Sequence, residues 1–328
     1  MNLPVFTHCP GTLAEGFSTY SKTCLNRVFA GKKVYHVLSY DSPASNPETD
    51  ELFEENRTRM SISGVQEKFS VVLEKNKLRL MNEGERGTHI LKPIPSAGKK
   101  PDQMPANEHL TMQIARQIFG LETAENALIF FKNGSPAYIT KRFDIREDGT
   151  KSGQEDFASL AGRTPQTHGT HYKYVGNYLE LFQLMQTYLP AYKLEAPKLL
   201  KILLFNYLFS NGDAHFKNFS LLETPMGDYR LSPAYDLLNS RIHTPDKDFA
   251  LDDGLLPLNL AQGKISQQFA TLAAKAGIGE TTFNNLLSTL LSRQESVEKM
   301  VAASFLNDST KRNYWQSYQG RLKQLVKE

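Results

Sequence analysis

The sequence predicts an α+β fold of two lobes, sheet-rich over residues 1–145 and mainly helical over 146–328. Three observations carry this. Short apolar runs separated by turn signals crowd the first part, which is how strands and hairpins read. Longer segments with apolar residues three and four apart dominate after Glu155, the helical period. At about 150 residues per domain, 328 residues suit two domains or one two-lobed unit.

In chain order, residues 33–38 have strand character, and residues 41–55 (DSPASNPETDELFEE) are polar and acidic, predicting an exposed, mobile connector. Runs 69–73 and 77–81 flank Lys75-Asn76 as a hairpin, and residues 88–93 form a strand stopped by Pro93. Residues 105–119 are helical: Leu110, Ile114 and Ile118 recur every four positions, and Gly120 stands where a helix-ending glycine belongs. Runs 127–131 and 137–141 flank Asn133-Gly134, a strong hairpin signal. Later helices are expected over 178–188, 197–209, 267–275, 281–305 and 310–327, with one hairpin, 219–222 and 229–232, between them.

Composition narrows the class. With 40% hydrophobic and 22% charged residues the chain is neither disordered nor fibrous. The net charge of +3 gives no argument for nucleic-acid binding by this chain alone. Cys9 and Cys24 are too few for a disulfide framework or an all-cysteine zinc site, so two free thiols in a reducing compartment are expected. No basic-then-apolar leader opens the chain, and the most apolar stretch, 199–209, contains Lys201 and Asn206 and is too short for a bilayer. The expectation is a soluble, cytoplasmic protein.

Chemistry-bearing residues concentrate after the apolar helix. In Asn211-Gly-Asp-Ala-His-Phe-Lys-Asn218, Asp213 and Asn218 have the D-x4-N spacing of a phosphotransferase loop, where a carboxylate takes a hydroxyl proton and a neutral oxygen ligand serves Mg²⁺. The same spacing also arises as a helix cap followed by an Asx-turn. Asp236, returning from the hairpin in Leu231-Ser-Pro-Ala-Tyr-Asp236, can supply a second metal ligand or cap the next segment. Lys92 lies in an apolar strand and needs an anionic partner; Glu108 can be that partner or a favourable helix-start charge. Gly64 lets backbone amides approach a phosphate, Lys68 adds charge, and Ser61 and Ser63 are hydroxyls on the same loop. His168 and His171 lack the helix and Glu of a zinc motif. The aromatic stretch 172–192 reads as packing, and Trp315, Tyr314 and Tyr318 as anchors of the last helix.

The ordered segments SISGVQEKFS, HILKP, NEHL, KRFD, QEDFASLAG, NGDAHFKNFSLL and LSPAYDLL resemble the HipA-like bacterial serine/threonine kinase toxins over residues 61–239. The Ser-Ile-Ser motif and short N-terminus resemble the HipT form of three-component systems. The resemblance implies a protein-kinase-like fold using ATP and Mg²⁺. It implies Asp213 as catalytic base with His215 supporting the loop, and Asn218 and Asp236 as metal ligands. Ser63, Gly64, Val65, Lys92, Lys141, Phe143 and Lys217 are implied at the nucleotide, with an adenine hinge over 137–143. Ser61 and Ser63 are implied as autophosphorylation sites. The N-terminal subdomain of full-length relatives is expected to be replaced by a small separate partner, alongside a DNA-binding antitoxin. The implied protein substrate is an aminoacyl-tRNA synthetase. Tyr235-Asp236-Leu237 lacks the DFG glycine of eukaryotic kinases, so their activation-loop regulation does not carry over. A small-molecule phosphotransferase and a non-enzymatic co-repressor docked on the antitoxin are the alternatives.

Overall fold

The computed structural model describes residues 6–43, 53, 67–146, 148–245 and 247–326. The chain divides into two compact units: Met1–Gln113, Ala124–Phe143 and Lys299–Lys311 in the first, and Ile114–Thr123, Asp144–Glu298 and Arg312–Glu328 in the second.

The first unit is built on a five-stranded antiparallel sheet of order β2-β1-β3-β5-β4. β1 (Phe69–Glu74) and β2 (Lys77–Leu80) pair around Lys75, whose φ of 54° places the turn in the left-handed region. β3 (His89–Pro93) ends at its proline. β4 (Asn126–Phe130) and β5 (Pro136–Lys141) are joined by the Asn133-Gly134 turn, where Gly134 takes φ 86° and donates to the Phe131 carbonyl at 2.8 Å. Every residue of β4 is buried, so after Asn126 its sequence is apolar without alternation. Phe69, Val71, Leu91, Ile129, Phe131 and Ile139 form the core with Val28 and Phe29 of α1 (Lys22–Phe29).

Two expectations fail in this unit, and one helix lies outside all of them. Helix α1 was not anticipated; Ser21 caps it by accepting from the Cys24 amide, a signal lost among neighbouring polar residues. Residues 33–38 are not a strand: the Val34 amide turns back to the Lys32 carbonyl, and only Val37 bridges to Phe130. Most of 41–55 lies outside the described residues, but Phe53 is fully buried against Phe69 and Phe131, so that position is not an exposed linker.

The second unit holds a three-stranded antiparallel sheet of β6 (Gln154–Asp156), β7 (Ser220–Glu223) and β8 (Tyr229–Leu231). β6, a polar Gln-Glu-Asp run, carries no apolar pattern and was missed. Helix α2 (Met104–Gln117), whose residues to Gln113 belong to the first unit, ends in a Schellman arrangement: Leu121 donates to the Ala115 carbonyl at 2.9 Å and Gly120 takes φ 61°. Helices α3 (Leu179–Tyr188) and α4 (Tyr192–Leu208) follow. The sequence places Pro197 at the start of α4; the helix begins five residues earlier and tolerates the proline in its second turn. After α5 (Ile265–Lys275), the expected single helix over 281–305 is two, α6 (Glu280–Leu291) and α7 (Gln294–Ala303), with Ser292 closing the first and Arg293 accepting the first bond of the second. In α8 (Asp308–Val326), Tyr318 is buried and stacks on Phe209 at 5.1 Å. Among the described residues no helix is long and apolar enough to cross a membrane.

Candidate active site

Helix α4 delivers the Asp213 loop. Its end is reversed by Ser210 at φ 55°, and the Asn211 amide returns to the Asn206 carbonyl at 2.8 Å. Asn211 Nδ2 donates to Asn206 Oδ1 at 3.0 Å and to the Asp236 carbonyl at 3.3 Å, tying the two acidic segments together. Ser240 Oγ accepts from the Gly212 amide at 2.8 Å and donates to the Ser210 carbonyl. Tyr178 donates to the Ala214 carbonyl at 2.7 Å, and burial pushes its phenol up, keeping it a donor. The loop is thus clamped from two sides while Asp213 itself is exposed.

Inside the loop the His215 amide donates to the Asp213 carbonyl at 2.8 Å and to Asn218 Oδ1 at 3.1 Å. Asn218 Nδ2 reaches Asp236 Oδ2 at 3.3 Å. Asp236 has φ 56°, a left-handed conformation that Asp tolerates better than most residues. Its segment is held by Ala234, whose amide donates to the Glu122 carbonyl at 2.8 Å, and by Tyr235, whose hydroxyl donates to the Lys217 carbonyl at 2.9 Å.

Two tyrosines read from sequence as packing belong here. Tyr174 donates to Asp213 Oδ1 at 2.8 Å and meets the His215 ring edge-on at 5.1 Å. Lys217 Nζ lies 3.3 Å from the Tyr172 hydroxyl and 3.9 Å from Asp156 Oδ2. No spacing rule connects residue 174 to residue 213, so only the fold reveals the contact.

The structure brings Asp213, His215, Lys217, Asn218 and Asp236 together in the second unit. Lys92, Lys141 and Phe143 lie in the first unit. There Lys92 Nζ and Glu108 Oε1 are 2.6 Å apart, both side chains at most 4% exposed, with the ammonium 5.2 Å from the Tyr138 ring centre. This selects the ion-pair reading of Glu108. Lys141, at the end of β5, donates its amide to the Glu125 carbonyl at 2.7 Å, and Phe143 follows, half-buried. Ser61, Ser63, Gly64 and Val65 lie outside the described residues.

The donor set fits a hard divalent cation. Asp236 offers carboxylate oxygens and Asn218 an amide oxygen, which here accepts from the His215 amide while its Nδ2 donates to Asp236; Mg²⁺ is commonly held by one or two such oxygen groups plus substrate phosphates. Among the described residues no cluster of three or more His, Cys, Asp or Glu could hold a metal by itself, and such a cluster is not what Mg²⁺ on a nucleotide requires.

Comparison with known proteins follows the same lines. Residues 60–301 match the HipA-like C-terminal domain. A Sinorhizobium fredii protein named "Putative kinase Y4mE" is 31% identical over 279 residues, 81% of this chain and 63% of that protein. The Shewanella oneidensis serine/threonine-protein kinase toxin HipA is 26% identical over 200 residues, 56% of this chain and 44% of the toxin. This chain therefore spans less than two thirds of the length of either relative. The structure of Shewanella oneidensis HipA with HipB and operator DNA superposes with a TM-score of 0.63 at 21% identity, covering 81% of this chain and 65% of that one, so the fold is shared. From its sequence match, its fold and the order of its motifs, the chain belongs to the HipA-like C-terminal domain family.

Proposed function

We propose that the protein is an ATP- and Mg²⁺-dependent serine/threonine protein kinase and the toxin of a toxin–antitoxin system. The observation that carries this is the clamped loop that exposes Asp213, linked to Asn218 through the His215 amide, with Asn211 and Asn218 both donating to Asp236. Phosphoryl transfer asks the protein mainly for positioning and charge. In this reading residues 1–145 form the nucleotide lobe and 146–328 the acceptor lobe. Asp213 accepts the proton of the acceptor hydroxyl, and His215 holds the loop. Asn218 and Asp236 would hold Mg²⁺, which neutralises phosphate charge when bound. Lys92, kept in place by Glu108, contacts ATP phosphates, and Lys217 adds positive charge near the acceptor loop. Ser63, Gly64, Val65, Lys141 and Phe143 complete the nucleotide contacts.

The family supports further assignments to this chain: an aminoacyl-tRNA synthetase as substrate, translation arrest in the cytoplasm as outcome, and Ser61 and Ser63 as self-modified residues. DNA contact is delegated to an antitoxin, as the HipA–HipB–operator complex and the chain's low net charge suggest. A small partner protein is a further proposed member of the assembly. Incubating the purified chain with γ-labelled ATP, Mg²⁺ and cell lysate tests the reading. A labelled protein band is expected. A labelled metabolite would favour a small-molecule phosphotransferase, and no label at all would favour a docking protein without activity.

A further inference from the structure

A cavity of about 190 Å³ lies in the second unit, and none of Asp213, Asn218 and Asp236 lines it. Its walls are Gly120, Leu121 and Glu122 after α2, Lys198, Lys201 and Ile202 of α4, and Leu231 and Ser232 of β8 and the residue following it. Lys198, Lys201 and Ile202 stand three and four apart, so α4 presents them on one face.

The charges around it do not balance. Glu195 is engaged twice, by Lys198 Nζ at 2.6 Å and by the Leu231 amide at 3.0 Å. Glu122 is engaged by Arg230 at 2.7 Å. Both nearby acids are thus committed, while among the described residues no acceptor or acid pairs with Lys201. Lys201 is half-buried, and burial alone lowers its proton affinity. Three cations and two acids leave one positive charge over a floor of Leu121, Ile202 and Leu231. A charge kept partly from water without a partner is costly, and an anion entering the cavity removes that cost.

We propose that this cavity binds a small organic anion, one carboxylate or phosphate on Lys201 and an apolar body on Leu121, Ile202 and Leu231. The site communicates with the Asp236 segment. Ile202, Leu231 and Ser232 also wall a water-sized cavity, about 10 Å³, whose other side includes Asn211, Asn218 and Tyr235. The Glu122 carbonyl, beside the proposed site, holds the Ala234 amide, and Thr123 bridges to Ala234. A ligand there stiffens residues 231–237 from behind. The proposal stands independently of the kinase reading, because its test reads binding.

The test is a ligand-observed ¹⁹F NMR titration of the full chain with 4-(trifluoromethyl)benzoate, compared with its uncharged amide. The carboxylate is expected to bind saturably and at least tenfold more tightly than the amide. Lys201→Met should weaken it at least tenfold, and Lys201→Arg should restore binding to within about threefold, since both cations can pair with a carboxylate. Hydrogen exchange over residues 231–237 should slow when the probe is bound. Equal binding of acid and amide, undiminished binding by Lys201→Met, or no saturation would overturn the site; the acid–amide comparison uses the unaltered chain and so does not depend on a variant folding. Unchanged exchange over 231–237 would overturn the link to Asp236.

Discussion

At the scale of single residues, the contact that most changes the picture is Tyr174 on Asp213. An exposed carboxylate can rotate, and a phenol donating to one oxygen at 2.8 Å restricts it. Hydrogen bonds to charged groups are worth about 1.5–3 kcal/mol when well formed, less where solvent competes. Tyr174→Phe is therefore expected to slow phosphoryl transfer about tenfold while leaving the fold intact. In an Asp213→Ala background the same change should do nothing further, because the two side chains act as one unit. Initial rates for the four proteins of this cycle check it; an equal loss in both backgrounds would make Tyr174 a remote packing residue. Asp213, Asn218 and Asp236 were legible because their chemistry is written in short spacings around one helix end and one hairpin. Tyr174 was not, because residue type and spacing are silent about a contact spanning 39 positions.

At the scale of elements, the pair of Lys92 and Glu108 ties β3 to α2. The sequence left Glu108 with two roles; the fold selects one by burying both side chains. Such a pair adds little over an apolar substitute but is costly to break, about 3–5 kcal/mol when one partner goes. Glu108→Leu is expected to destabilise the protein on that scale, and Lys92→Met with Glu108→Leu should recover much of it. Urea unfolding measures both, and a strictly additive double variant would show that the pair is not coupled. Hairpins at Lys75-Asn76 and Asn133-Gly134, and the stop at Gly120, were readable because turn residues act locally. α1 and β6 were hidden for the opposite reason. α1 depends on a Ser21 cap in polar company, and β6 is a three-residue polar strand recruited by β7. The break between α6 and α7 at Ser292 carries no Gly or Pro to announce it.

At the scale of the whole molecule, two buried histidines give stability a pH dependence. His89 donates to the Val28 carbonyl and His109 to the Gly11 carbonyl, and burial holds both pKa values down to about 4 from an ordinary 6.5. Folded imidazoles therefore stay neutral where unfolded ones protonate. The unfolded chain binds more protons between pH 6.5 and 4, so stability falls as pH drops through that window, by up to about 3 kcal/mol per site. His109→Gln, which keeps a donor but cannot titrate, should flatten the urea-derived stability curve between pH 6.5 and 4; an unchanged slope would contradict the assignment. The succession of a sheet-rich and a helical part was legible from periodicity. Groupings such as Lys299–Lys311 with the first unit were not, since local patterning does not report long-range contacts. The central claim is that Asp213, Asn218 and Asp236 form one phosphoryl-transfer centre. The rate of γ-phosphate transfer from Mg²⁺-ATP by the full chain, with and without Asp213→Ala, tests it most directly. General-base assistance predicts a loss of about 10²–10⁴-fold, with an unchanged unfolding midpoint. Transfer by the Asp213→Ala protein at a near-normal rate would contradict the account.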